Sequence, residues 1–494
     1  MIRPLLILAV AAPVLAGCAS AGKVPEPQAT PPVAYEAPRP APDSLQPAAL
    51  DRWWTLYGDA QLESLVDQAL INAPDSRSAL AVLEQAADVR SETIDQIYMP
   101  SGALSGTATR THTNIIGGST GGIGGIGGGF VQPGDTSSYN GSFNVGWELD
   151  LFGRRAAGRR SADADFYNAA FTYEATRTAL IANVAQSLFQ ARGLALQLAD
   201  AQETARIAHE LERVTKAKVD HGLSANGDLD LTVATAEAAD AQAESLRAQL
   251  DVARRSLLVL VGKGFDPLES LTATATVGTL PAVPATLPGD LLRRRPDVKA
   301  AEWRIVSAKG TLKVDELAVL PTLKLTPGVT LQDSTGVFGA ASAAWSIGAS
   351  LTAPVLDRPR LIAAMHAQRA VAEQDVIAYE KAVQTAYGDT ETAFIYLDSD
   401  SRRVVTLSDA ERHAESAYEK SRIGYTRGFS DLTATLQAET TWRNTRIQLA
   451  NAQSTLMQRS VQVFKALGGG WAPEAPAAST PYAMAAAKGA EGGR

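Results

Sequence analysis

The strongest constraint on this 494-residue chain is that its plan is used twice. Ala73-Pro74-Asp75 recurs as Arg295-Pro296-Asp297 at an offset of 222, and Met99-Pro100 as Leu320-Pro321 at 221. Gly153-Arg154, Gly222 and Val261-Gly262 recur as Pro359-Arg360, Gly428 and Leu467-Gly468, all at 206. Self-similarity at a fixed period means one supersecondary unit repeated. The offset changes in one place only, the glycine-rich stretch Ile115 to Gly134, whose counterpart around Asp333 to Gly339 is much shorter. The halves therefore differ mainly by one loop insertion.

Each half carries the same succession of periods. Asp75 to Met99 and Asp297 to Leu320 have helical character, open on a Pro-Asp pair suited to a helix N-terminus and stop at a proline. Alternation with period two follows. In Ser138 to Glu148, Tyr139, Gly141, Phe143, Val145 and Trp147 oppose Ser138, Asn140, Ser142, Asn144 and Glu148. Thr322 to Gln332 and Ser342 to Thr352 alternate in the same way, with Trp345 on the apolar side of the latter, and Ala103 to Thr113 does so more weakly. Next come two very long helical stretches, Arg155 to Asp220 and Leu361 to Thr426, each about 100 Å if continuous at 1.5 Å per residue. In the first, Leu180, Val184, Leu188, Ala191, Ala195 and Leu198 mark a packing face, while Asn183, Gln186, Gln190, Gln197 and Asp200 mark a wet one. The return helices Ala225 to Val261 and Asp431 to Leu467 are about 55 Å long and need the helices before the strands, about 37 Å each, to match the long ones.

Four strands of about ten residues, apolar with aromatics on one face and polar on the other, match the wall of a transmembrane barrel. They also match a half-buried soluble sheet. Four strands cannot close a barrel, and an open edge is not tolerated in lipid, so either the sheet is soluble or several copies share one barrel. The longest apolar run, Leu5 to Ala16, is twelve residues and too short to span a bilayer as a helix.

Composition removes other classes. With 45 Lys+Arg against 53 Asp+Glu, the net charge of −8 excludes a basic nucleic-acid binder. One Cys excludes a disulfide framework and a thiolate-rich metal site. Five scattered histidines, His112, His209, His221, His366 and His413, leave little room for a histidine site, and five Met give no sign of a copper or silver route. His209-Glu210 lacks a second His four residues on, no glycine-rich phosphate loop follows a strand, and no Ser stands in an elbow motif. No catalytic residue, cofactor or metal is expected. Arg293-Arg294-Arg295 reads as a solvated run with no partner.

The N-terminus is an address. Arg3, the apolar run from Leu5 and then Leu15-Ala16-Gly17-Cys18 read as a signal peptide, and the last four resemble a bacterial lipobox, with lipid on Cys18, the chain's one thiol. Ala19 in place of Asp then favours the outer membrane in lipoproteins similar to this one. The expected organisation is a signal peptide over 1–17, a lipidated proline-rich tether over 18–50, repeats over 51–262 and 263–471, and a disordered tail over 472–494.

Trp53-Trp54 with Leu56-Tyr57-Gly58-Asp59, Asn72-Ala73-Pro74-Asp75, Glu148 to Arg154, Leu291 to Asp297 and Lys465 to Trp471 resemble the TolC-like outer membrane efflux proteins, in particular their lipoprotein branch, NodT or OprM-like. The resemblance covers Trp53 to Trp471. It implies a mixed membrane α+β fold: a trimeric 12-stranded transmembrane β-barrel, four strands per chain, continuous with a long periplasmic α-helical barrel of coiled-coil character. Trimerisation would resolve the open edge. The implied function is a passive exit duct for drugs or other toxic small molecules, delivered by an inner membrane pump of the resistance-nodulation-division type and a periplasmic adaptor. A type I secretion duct and a non-transporting structural envelope lipoprotein are the alternatives. Tyr139, Phe143, Trp147 and Trp345 would face lipid, with Trp147 and Trp345 near an interface.

Two turns join the long and return helices, Lys216 to Ser224 and Arg422 to Ser430. Their glycines and serines are explained by helix ending and capping alone. Leu223 and Phe429 at exposed tips are not. The resemblance assigns adaptor docking to Gly222, Leu223, Ser224, Gly428, Phe429 and Ser430, and a periplasmic gate to residues just past these turns. Asp228 and Tyr425 match the family's gating positions. Ala434 and Gln437 stand where relatives often hold Asp, which leaves Asp230 and Asp431 as further candidates. Helix-terminal charge is the plainer account of these carboxylates.

Overall fold

A computed structural model of the chain describes residues 22–38, 50–114, 134–283, 288–335 and 340–472, with nothing said of the side chains of 291 and 292. Cys18, the glycine-rich stretch and the tail after 472 lie outside the described residues. The elements are α1 (Ala60–Asn72), α2 (Pro74–Tyr98), β1 (Ser101–Thr113), β2 (Gly134–Leu149), α3 (Arg154–Asp220), α4 (Asn226–Leu260), α5 (Pro288–Arg294), α6 (Pro296–Leu317), β3 (Thr322–Thr335), β4 (Ala341–Thr352), α7 (Arg358–Thr426) and α8 (Leu432–Ala466). The order helix, two strands, long helix, return helix thus occurs twice. The long helices run 67 and 69 residues and the return helices 35 each, within a few residues of the expected spans. An element the sequence reading does not include is α1. Its N-cap is Asp59, which accepts from the amides of Gln61 at 3.0 Å and Leu62 at 3.2 Å, and it buries Leu62, Leu65, Val66 and Ala69 at helical spacing.

The chain forms two compact units. The first holds the sheet with the helical segments next to it, from residues 87–165 and 304–376. Its strands run in the order β1-β2-β3-β4, all antiparallel. The register assembles one apolar face: Leu104 opposes Phe143, which opposes Val329, which opposes Trp345, and Trp147 opposes Leu325. The other face carries Ser105, Ser142, Asn144, Thr330 and Ser346. Because side chains alternate with period two, a slip of one residue would exchange these faces entirely. Tyr139, Phe143, Trp147 and Trp345 all stand on the apolar face and are exposed. Trp147 lies two pairs from the end joined to the helices, while Trp345 shares the middle row with Phe143. Among the described residues nothing covers that face, and the outer edges of β1 and β4 have no strand beside them.

The second unit, from 27–86, 166–303 and 377 onward, is helical. Trp53 is fully buried and stacks on Phe464 at 5.3 Å, with Tyr57 against Phe189 at 5.1 Å. Around them pack Leu62 and Val66 of α1, Leu188 of α3, Leu257 of α4 and Val461 of α8. The stripe expected on α3 is largely the buried one: Leu180, Val184, Leu188, Ala191 and Ala195 are buried and Leu198 half-buried, whereas of the face expected to be wet only Asn183 and Gln190 are exposed, Gln186, Gln197 and Asp200 being half-buried and Asp200 paired with Arg446.

One expectation fails here. Arg294 and Arg295 are buried, each 9% exposed, and both have partners; only Arg293 is solvated. Arg294 pairs with Asp51, and its carbonyl accepts from Trp471 Nε1 at 2.8 Å. Arg295 reaches Asp297 at 2.7 Å and Asp389 at 3.1 Å, and donates to the carbonyls of Ala386 and Ala466. A planar fork with five donors can serve two carboxylates and two carbonyls at once, which makes burial of the charge tolerable. Burial alone would raise the Asp297 carboxyl, but the Arg295 guanidinium holds it below the usual carboxylate range.

The described part of the tether, 22–38, lies extended along α7. In the first unit, Val24 packs against Leu312, Met365 and Ile362. In the second, the amides of Gln28, Glu36 and Ala37 donate to the carboxylates of Glu380 and Glu391 at 2.7 to 2.8 Å, and Tyr35 meets Tyr387 and Phe394. Captured amides supply hydrogen bonds that a proline-rich segment cannot make within itself.

Candidate functional site: the hairpin tips

The long helices α3 and α7 end in the same turn. Gly222 and Gly428 have φ of +72° and +80°. Gly222 N donates to Val219 O at 2.9 Å and Leu223 N to Lys218 O at 2.7 Å; Gly428 N donates to Tyr425 O at 3.1 Å and Phe429 N to Gly424 O at 2.7 Å. This is the Schellman closure, and it needs a left-handed residue at the glycine. Space is not the reason for glycine, since a Cβ at either position would meet nothing within 4 Å. In such turns the residue after glycine usually packs on the last helical turn. Here the facing positions are Lys218, whose side chain is drawn to Tyr425, and Gly424, which has none. Leu223 is left 76% exposed and Phe429 86% exposed.

The polar residues past the tips have local duties. Ser224 Oγ donates to Asp228 Oδ2 at 2.6 Å, and the Ala225 amide reaches the same oxygen at 3.3 Å. Asp431 caps α8 through the Ala434 amide at 2.7 Å. Ser430 Oγ donates to the Ser421 carbonyl at 3.0 Å. Asp230 is exposed. These bonds fit the capping account of Asp228 and Asp431 that the sequence left open.

Tyr425 does something different. It is 4% exposed, its hydroxyl lies 3.2 Å from Thr215 Oγ1, and its carbonyl accepts from Lys218 Nζ at 2.7 Å. The same ammonium lies 3.5 Å from the Tyr425 ring centroid. Leu211, Val214, Leu432 and Leu436 pack in one cluster with Tyr425. Helix α3 of the first repeat is thereby joined to α7 and α8 of the second at the level of the tips.

Further up the same helices, Tyr418 stacks on Trp442 at 5.2 Å with an interplanar angle of 10°, and Trp442 Nε1 donates to Glu411 at 3.0 Å. Glu439 is 2% exposed, and its Oε1 has no partner. Burial pushes the Glu439 carboxyl up, and pushes the Tyr418 hydroxyl to about 12. The clasp is missed by sequence reasoning because Lys218 and Tyr425 belong to different repeats, and the layer because its partners Tyr418, Glu411, Glu439 and Trp442 meet only when α8 folds back on α7. The one sequence signal is the aromatic spacing Tyr418-Tyr425 on α7, one heptad apart.

Among the described residues there is no cluster of three His, Cys, Asp or Glu able to hold a metal, and no helix long and apolar enough to cross a membrane.

The family model described as outer membrane efflux protein matches residues 65–263 and 287–469. The pyoverdine export outer membrane protein OpmQ of Pseudomonas putida is 25% identical over 452 residues, 90% of this chain and 93% of OpmQ. The cation efflux system protein CusC of Escherichia coli is 25% identical over 437 residues, 87% of this chain and 90% of CusC. The solved outer membrane channel OprN is 26% identical, with a TM-score of 0.75 over 92% of this chain and 100% of OprN. These relatives are transport channels rather than enzymes. The fold class is theirs: a trimeric barrel, four strands from each chain, continuous with a long helical barrel. The four exposed strands and paired long helices found here are one chain's share of it. This chain belongs to the outer membrane efflux protein family and is the outer membrane channel of an efflux system.

Proposed function

We propose that the chain works as a lipid-anchored, passive exit duct for toxic small molecules, supplied by an inner membrane pump through a periplasmic adaptor that docks on the two hairpin tips. The observation that carries this reading is the pair Leu223 and Phe429, apolar side chains at repeat-related tips that the turn itself leaves unburied. A helical-hairpin adaptor offering apolar residues would cover them, with Gly222, Ser224, Gly428 and Ser430 shaping the contact. Closure at the inner end is assigned to Tyr425 held by Lys218, with Asp228, Asp230 and Asp431 forming an acidic rim around the threefold axis, where like charges repel and cations are attracted. Tyr139, Phe143, Trp147 and Trp345 face lipid in this reading. The anchor is lipid on Cys18, and the extended segment 22–38 supports it by leading the chain along α7.

The test is site-specific crosslinking with export. Cysteines at 223 and 429, in a chain whose Cys18 is retained, should crosslink to the adaptor, and Leu223→Ala with Phe429→Ala should reduce both adaptor capture and export of a toxic dye. Unchanged capture and export in the double variant would exclude docking at the tips.

A further inference from the structure

The two junctions where strands hand over to long helices are unusual in the same way. After β2 the chain exposes Leu151 (52%) and Phe152 (49%), and after β4 it exposes Val355 (59%) and Leu356 (94%). Each pair lies just beyond the last residues of the apolar sheet face, Leu149 and Leu351, so it extends that face past the strands. Arginines follow at once: Arg154, Arg155, Arg159 and Arg160 after the first pair, Arg358 and Arg360 after the second. Neither α3 nor α7 has an acidic residue in its first turn, so these cations are not there to stabilise a helix start, where they are unfavourable.

Some of the arginines have internal work. Arg154 pairs with Glu148 at 2.5 Å, and Arg155 donates to the Ile97 carbonyl and lies over the Tyr98 ring. Others are turned to solvent. The side chain of Arg159 is 56% exposed and its contact to Asp163 is a loose 3.6 Å; Arg160 is exposed; Arg360 is 72% exposed, with Asp357 at 3.9 Å. Asp150 is occupied by the Gly153 amide at 2.9 Å. An apolar pair continuous with a membrane face, backed within two helical turns by solvent-facing guanidiniums, has the order of chemistries met on leaving a leaflet: acyl chain, then phosphate.

We propose that these junctions bind anionic phospholipid of the periplasmic leaflet, the apolar pairs entering the acyl region and Arg159, Arg160 and Arg360 meeting the phosphates. Chain length agrees with this level. Val24 packs on Ile362 and Met365. The six residues back to Cys18 can span about 20 Å, whereas the seven residues from Ile362 back to Val355 span about 10 Å if measured as helix. An acyl chain on Cys18 would thus enter the leaflet beside the second junction, and in this respect the inference rests on the lipid anchor proposed above.

Native mass spectrometry of the purified full-length trimer tests it, with phosphatidylglycerol and phosphatidylcholine of the same acyl chains titrated separately. The parent should retain phosphatidylglycerol over phosphatidylcholine. Arg159→Gln with Arg160→Gln and Arg360→Gln should weaken that retention by roughly fivefold for each arginine, the corresponding Lys variants should restore most of it, and Phe152→Ser with Leu356→Ser should lower retention of both lipids. Equal retention of the two lipids by the parent, undiminished phosphatidylglycerol on the Gln variant, or displacement by inorganic phosphate alone would overturn the proposal. The first and last of these need no variant, so poor assembly of a mutant leaves the proposal exposed to refutation. Loss of the anchor would register separately, as a missing acyl mass on each monomer.

Discussion

The Lys218 ammonium lies 3.5 Å from the Tyr425 ring centroid and donates to the Tyr425 carbonyl at 2.7 Å, so one side chain of the first repeat holds both the ring and the backbone of the second. Lys218 stands in the last turn of α3, where the helix terminus also favours a cation. A contact of this kind contributes about 1 kcal/mol in a partly buried setting. In planar bilayers Lys218→Met should raise the conductance of the purified channel several-fold. Tyr425→Phe should stay near the parent, because it loses only the hydroxyl contact to Thr215. If Lys218→Met conducts like the parent, the clasp has no part in closure.

The buried Arg295 makes a second prediction, in acid. Asp297 is held low by this guanidinium against the partial loss of its hydration. A carboxyl whose folded pKa is below its unfolded value, about 3.9, stabilises the fold fully above that pH and loses the contribution as pH falls through the folded value. Chemical unfolding followed by tryptophan fluorescence should therefore show falling stability below about pH 4. Arg295→Met should cost about 2 kcal/mol at pH 7, less than the roughly 3 to 5 kcal/mol of a fully buried broken pair, because Asp297 and Asp389 keep roughly half their exposure. The variant should also have a flatter acid limb. A parallel acid limb in parent and variant would mean that other carboxylates govern acid unfolding.

That arginine also shows where legibility ended. The strands were readable because period two survives in a sheet with one apolar face, and Phe143, Val329 and Trp345 line up in register as the alternation required. The α3 stripe was readable because Leu180, Val184 and Leu188 keep helical spacing whatever they pack against. Asp297 apart, which is local, the partners of Arg294 and Arg295 are at 51, 386, 389 and 466, and no local pattern joins such positions. A hint lay in the repeat itself. The equivalent of Arg295 is Ala73, which is 1% exposed, so the second half places a charge in a slot the first half fills with a methyl group. The tips were readable as turns with apolar ends, whereas Lys218 and Tyr425 meet only after the two repeats have packed.

Glu439 should respond to pH in the opposite sense from Asp297. Burial raises its carboxyl and Oε1 has no partner, so the ionised form is disfavoured by folding. The folded protein prefers the protonated acid, and stability is lost as pH rises past the unfolded value of about 4.3. Glu439→Gln removes that loss. Scanning calorimetry at pH 7.5 should show the variant melting about 2 °C higher, with the gap narrowing towards pH 5. A variant that melts lower at both values would show that the carboxylate has a partner the fold needs.

The sheet gives the sharpest contrast, because adjacent residues of β2 have opposite surroundings. Phe143 stands on the apolar face between Leu104 and Val329, and Asn144 on the polar face between Ala103 and Gly328. If the apolar face meets lipid, Phe143→Lys places a charge near mid-strand against hydrocarbon at a cost of about 2 to 4 kcal/mol per chain. Three chains pay it together in one barrel, and the loss should appear as little heat-resistant trimer in outer membrane fractions. Asn144→Lys points the same charge at a face already made of Ser105, Ser142 and Thr330. It should assemble normally and shift ion selectivity towards anions. Equal assembly of both variants, or failure of Asn144→Lys alone, would reverse the assignment of faces and place the aromatic side chains inside the barrel.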